Sequence, residues 1–100
     1  MQVNNKLSDF DIRWSLEVIM QSWTDNDVQN LIYDIKYVLN QLGEMEKLAE
    51  LNNYIIQDDK GYYYNNNGYI QTLEIGNLQE ITYYMIKKLL LKLEDADAED

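Results

Sequence analysis

The side chains able to do chemistry in this 100-residue chain are mainly carboxylates and phenols: Asp and Glu number 18 and Tyr 9, while His and Cys are absent. Without histidine the commonest general base and transition-metal ligand is missing. Without cysteine there is no thiolate catalysis, no disulfide and no zinc–sulfur site. The serines, Ser8, Ser15 and Ser22, have no histidine to activate them. The glycines Gly43, Gly61, Gly68 and Gly76 fall in no phosphate-binding spacing. Asp58 and Asp59 are adjacent, but neighbours in an extended segment point to opposite sides, and aspartate is at home in β-turns. The run Asn65-Asn66-Asn67-Gly68 is similar to a calcium loop, yet Tyr63 stands where a ligand is needed and Glu74 follows too closely. No catalytic, cofactor-binding or metal-binding residue is expected, and binding is favoured over catalysis.

The charge balance narrows what could be bound. A net charge of −10 with one arginine, Arg13, argues against direct contact with a phosphate backbone, which needs clustered cations. It favours a protein partner with a basic surface. Glu94, Asp95, Asp97, Glu99 and Asp100 supply half of that charge at one end, where solubility is the plain role. The tyrosine-rich segment lacks the positive groove that base-stacking platforms combine with aromatics. No apolar run approaches the ~20 residues that cross a bilayer, and "MQVNNKLSDFD" lacks the regions of a signal peptide. A cytoplasmic protein without a membrane partner is expected. Abundant Asn, Ile, Tyr and Lys, all with AT-rich codons, point to a low-GC bacterial or phage source.

The elements that would position these residues can be read from periodicity and capping. Ser8 caps a first helix to Trp23, with Ile12, Leu16, Ile19, Met20 and Trp23 as its apolar stripe and Trp14 off it. Thr24 and Asp27 form a capping-box variant opening a second helix. Its stripe is Val28, Leu31, Ile32, Ile35, Val38, Leu39 and Leu42, and Gly43 is its C-cap. A third helix over 44–51 buries Met45, Leu48 and Leu51, unless the second continues through a kink at Gly43. Asn52 and Asn53 mark the change to strands, "NYIIQ", "YYY" and "GYIQTLE", joined by turns at "DDKG" and "NNNG". Tyr62 and Tyr64 share one sheet face and Tyr63 takes the other. Asn77 then caps a final helix over 78–93. The expected fold class is α+β: two or three N-terminal helices, a three-stranded antiparallel β-meander and a C-terminal helix. One globular domain spans residues 1–93, followed by an acidic, frayed tail at 94–100.

Two surfaces are candidates for binding. Asp25, Asp27 and Asp34 along the second helix can imitate a row of phosphates. Asp58, Asp59, Tyr63 and Glu74 belong to the exposed side of the meander. In size, acidity and lack of catalytic residues the chain resembles the phage-encoded anti-CRISPR and anti-restriction proteins. That resemblance implies a non-enzymatic inhibitor occupying the cationic nucleic-acid-binding surface of a target enzyme. The alternative rests on the last helix, where Tyr83, Ile86, Leu90 and Leu93 form a second apolar stripe beside Leu78, Ile81, Met85 and Leu89. Such a doubled face suits a homodimeric structural or adaptor protein, with Trp14 and Trp23 as further anchors. A winged-helix regulator is disfavoured because the second helix shows no break and the reading segment carries Glu44, Glu46 and Glu50.

Overall fold

The computed structural model describes the backbone of residues 7–98 and side chains as far as Glu94. The order is α1 (Asp9–Thr24), α2 (Val28–Leu42), α3 (Met45–Tyr54), β1 (Ile55–Asp58), β2 (Gly61–Asn66), β3 (Tyr69–Thr72), a 3₁₀ turn (Ile75–Leu78) and α4 (Gln79–Ala98). Among the described residues, four helices and one antiparallel three-stranded sheet make the expected α+β fold. No helix among the described residues is long and apolar enough to cross a membrane.

α2 is central. Leu31, Ile32, Ile35, Val38 and Leu39 are buried along it, and α1, α3 and α4 all pack against it. α1 meets it through Ile12, Ser15, Ile19 and Ser22, so the buried line includes two small hydroxyl residues. Met20, expected in the core, is half exposed. The pattern of large apolar residues centred the stripe too far round the helix, because small serines are what let α2 approach closely.

Both early helices end in the same way. Asn26 (φ 58°) and Gly43 (φ 75°) adopt the left-handed conformation. After α1, Asp27 N–H bonds the Ser22 carbonyl and Asn26 N–H that of Trp23. After α2, Glu44 N–H bonds Leu39 and Gly43 N–H bonds Asn40. These paired bonds satisfy carbonyls that would otherwise lack partners. The turn at Asn26 makes Thr24 the last residue of α1, so the expected Thr24–Asp27 box does not form. Asp27 alone caps α2, accepting from Asn30 N–H at 3.1 Å. The turn at Gly43 separates α2 from α3, so the second helix does break.

Other boundaries also differ from the sequence reading: β1 is Ile55–Asp58, β2 extends beyond the three tyrosines to Gly61–Asn66, and β3 stops at Thr72. α3 absorbs Asn52, Asn53 and Tyr54 before the chain turns to strand, and Met45 at its start is half exposed. Asn77 lies inside the 3₁₀ turn, where its side-chain oxygen accepts from Glu74 N–H at 2.8 Å. α4 thus begins one residue late, at Gln79, and its backbone stays helical past Leu93 to Ala98. Glu99 and Asp100 lie outside the described residues.

The sheet, in order β1-β2-β3, is set by two tight turns. Asp58 Oδ1 accepts from Lys60 N–H (2.8 Å) and Gly61 N–H (3.1 Å) at the first. Asn67 and Gly68 both have positive φ at the second, as a type I′ turn requires. Ile55, Tyr62, Tyr64 and Leu73 face the helices, while Tyr63 takes the opposite face.

Gly43→Ala tests the break between α2 and α3. A Cβ there meets nothing within 4 Å, so the cost is conformational alone, about 1 kcal/mol. Urea denaturation should show that loss, and a smaller one for Gly43→Asn.

Candidate functional site

The register of the meander brings together residues that are far apart in sequence. Tyr63 lies opposite Ile56 on β1 and Thr72 on β3, and side chains of directly opposed residues share a face. The outer face therefore carries an Ile56–Tyr63–Thr72 row, with Ile70 and Asn65 in the next row. Ile70 is 57% exposed. On the other side, Asp58 lies opposite Gly61. Leu73 N–H bonds the Tyr62 carbonyl at 2.9 Å, which carries the β2–β3 ladder past Thr72. The same register sets Glu74 opposite Gly61. Asp58 and Glu74 thus flank a glycine at the foot of the aromatic row, two strand spacings or roughly 9.5 Å apart. Gly61 (φ 154°) offers no side chain between them, and a Cβ there would meet nothing within 4 Å. Asp59 is exposed in the adjoining turn.

Four of the expected partner-binding residues, Asp58, Asp59, Tyr63 and Glu74, therefore stand around one face. Ile56, Ile70 and Thr72 complete it and were not anticipated. Their signal was present: a two-residue Asn67-Gly68 turn fixes Tyr63 opposite Thr72, and a two-residue Asp59-Lys60 turn fixes it opposite Ile56.

Asp25, Asp27 and Asp34 do not form a row along α2. Asp25 ends α1 and accepts from Gln21 Nε2 at 3.0 Å. Asp27 is the α2 cap and also accepts from Asn30 Nδ2 at 2.8 Å. Asp34 is partly buried and accepts from Ser22 Oγ at 2.9 Å. All three carboxylates are held by intramolecular hydrogen bonds. Burial pushes the Asp34 carboxyl above the ordinary carboxylate range; the Ser22 bond opposes this and Asp27 adds to it.

The second stripe of α4 is divided. Leu90 and Leu93 line a groove against Leu16 and Met20 of α1. Ile86 packs partly buried against the core. Tyr83 is 60% exposed and lines a different recess, a cleft of about 690 Å³ between α3 and α4. Tyr54, Tyr84, Lys47, Lys87, Glu50 and Glu80 also border that cleft, with cations and carboxylates evenly matched. Tyr84 clips the two helices together. Its hydroxyl donates to Glu44 Oε1 at 2.9 Å, and Lys47 Nζ stands 4.8 Å from its ring centre. Burial raises the Tyr54 phenol above its ordinary value, with Tyr64 and then Glu80 adding to it. Trp23 packs against the core, whereas Trp14 stays half exposed, edge-on to Tyr37 at 6.4 Å.

No family model matches the chain, and neither the curated proteins nor the solved structures contain a significant match.

The Asp34 shift has a definite sign. A carboxyl whose folded pKa is raised ionises more readily in the unfolded chain, so it stabilises relatively at low pH. That contribution is lost as pH rises from the ordinary carboxylate value through the folded one. Asp34→Asn keeps an oxygen for Ser22, so it should raise the urea midpoint at neutral pH. The difference should vanish when both states are protonated.

Proposed function

We infer that the protein is a small acidic binding protein that occupies a cationic surface on which a target enzyme holds nucleic acid, acting as a non-enzymatic inhibitor. The observation that carries this reading is the outer sheet face, where Asp58 and Glu74 flank Gly61 beside the Ile56–Tyr63–Thr72 row. An arginine or lysine of the target can lay its apolar stem and its charge on the Tyr63 ring. Its charged head then lies within reach of carboxylates on either side. Asp59 widens the negative field at that end. The excess of ten negative charges steers a basic surface toward the molecule from a distance. The acidic segment Glu44–Glu50 weighs against α3 reading DNA, although the break before it is of the kind that a helix-turn-helix needs.

The second reading, a homodimeric adaptor joined through α4, draws on the groove formed by Leu16, Met20, Leu90 and Leu93.

Heparin-retained proteins of a low-GC bacterial lysate provide a cationic probe. The immobilised chain should capture a nucleic-acid-binding protein from that fraction, with capture falling steeply as salt rises and competed by polynucleotide. Asp58→Asn combined with Glu74→Gln should weaken it by about tenfold, equivalent to one charge-assisted contact. Asparagine at 58 can still accept the turn hydrogen bonds. Capture indifferent to salt and to polynucleotide would sink the mimicry. Loss on neutralising Asp25, Asp27 and Asp34 instead would move the contact to the α1–α2 corner.

A further inference from the structure

β3 is an edge of the sheet, and it carries neither the charge nor the proline that usually keeps an edge strand from pairing. All four of its residues, Tyr69 to Thr72, are exposed. They include no lysine, no proline and no charge, the devices by which edge strands are normally kept from meeting each other. The Leu73–Tyr62 bond identifies which backbone groups are free. Antiparallel pairs alternate between hydrogen-bonded and non-hydrogen-bonded, so residues 69, 71 and 73 bond to β2. The N–H and C=O groups of Ile70 and Thr72 therefore point away from the sheet.

We propose that this edge pairs with β3 of a second copy, antiparallel about a two-fold axis at Gln71, to give a continuous six-stranded sheet. The charge distribution selects this occupant. A chain of net charge −10 repels its own copies, so self-association belongs where charge is absent. Residues 61–73, the two strands and the turn between them, form an unbroken uncharged run. The edge is also self-complementary. A two-fold at Gln71 sets Ile70 opposite Thr72 of the second copy and Thr72 opposite its Ile70. All four outward donors and acceptors of each strand are thereby satisfied. Glu74, the first charge beyond the strand, falls opposite Gly68 of the second copy. The two Glu74 residues end about 20 Å apart along the strands, beyond the screening length at physiological salt. On the outer face Ile70 lies beside Thr72 of the second copy with the two Ile70 residues diagonal to each other, and each Tyr63 row continues into the other copy's Ile70–Asn65 row.

The salt response distinguishes this contact from capture of a cationic partner, because screening relieves repulsion between like-charged copies. Sedimentation equilibrium of the full chain should show a monomer–dimer equilibrium that strengthens as salt rises. Thr72→Lys places an ammonium at the edge, and Ile70→Pro removes an N–H that β2 does not use; each should weaken dimerisation by about tenfold or more. Leu90→Lys, in the α1–α4 groove, should leave it unchanged. Independently of any variant, the amides of Ile70 and Thr72 should become protected from hydrogen exchange as concentration rises, while those of Gln71 and Leu73 stay protected throughout. A single-chain mass at every concentration and salt overturns the proposal. So does concentration-dependent protection that maps to α4, or dissociation by Leu90→Lys with Thr72→Lys unaffected. None of these outcomes depends on whether a cationic partner binds.

Discussion

The fold depends on burying one side of α2. Leu31, Ile32, Ile35, Val38 and Leu39 are each at most 1% exposed, and among the described residues no other element contributes as many buried apolar side chains. At about 1.5–3 kcal/mol for a fully buried aliphatic side chain, this stripe is the largest apolar contribution in the domain. The partners of α2 are arranged around it: α1 through a line thinned by Ser15 and Ser22, α4 through Met85 and Leu89, and α3 through Leu51. The left-handed residues at Asn26 and Gly43 turn the chain sharply at each end, so that α1 and α3 can fold back on the same helix.

The meander is attached to this body by one face only. Tyr62, Tyr64, Ile55 and Leu73 seat it on the helices, and the rest of the hairpin from Asn65 to Thr72 is exposed. Such a hairpin has little core of its own and is held in shape by its turns. Asp58 fixes one and Asn67-Gly68 the other, with Asn65 Oδ1 accepting from Gly68 N–H at 2.8 Å. Gln71 Oε1 adds a cross-strand bond from Tyr64 Oη at 2.7 Å. Local hydrogen bonding thereby sets the shape of this surface, and its outer face and β3 edge are not covered by the helices.

The acidic residues divide by what holds them. Asp25, Asp27 and Asp34 are hydrogen-bonded at the junction of α1 and α2, and Glu44 is tied between Tyr84 and Lys88. These carboxylates define helix ends and helix contacts. Asp58 is tied into its own turn and Glu74 into the capping box with Asn77, yet both, like Asp59, stand exposed beside the apolar row of the sheet, where charge and hydrophobic contact are offered together. Formal charge alone cannot separate the two groups.

Much was legible in the residues themselves because it is local. The stripe of α2, the cap at Ser8, the glycine after Leu42, the Asn67-Gly68 turn and the alternation of Tyr62, Tyr63 and Tyr64 are each set within a few residues by helical or strand periodicity and by positive φ. Most of what failed was decided by neighbours distant in sequence; the cap at Asp27 was decided by the turn beside it. The line of α1 that faces α2 was settled by the close approach that serine permits, which moved Met20 out to the surface. Asp27 became a lone cap because Asn26 turned the chain first. The second stripe of α4 was divided because α1 and α3 lie on different sides of it. The same holds for the candidate site: tight turns make Tyr63 and its row predictable, whereas the setting of Asp58 and Glu74 across Gly61 needs both turns and the continuing ladder at once. Composition excluded histidine and thiol chemistry outright, since an absent side chain needs no fold to be absent. That Asp34 and Glu44 are engaged was decided only by tertiary structure, because their hydrogen bonds come from Ser22 and Tyr84, residues that only the folded chain brings near.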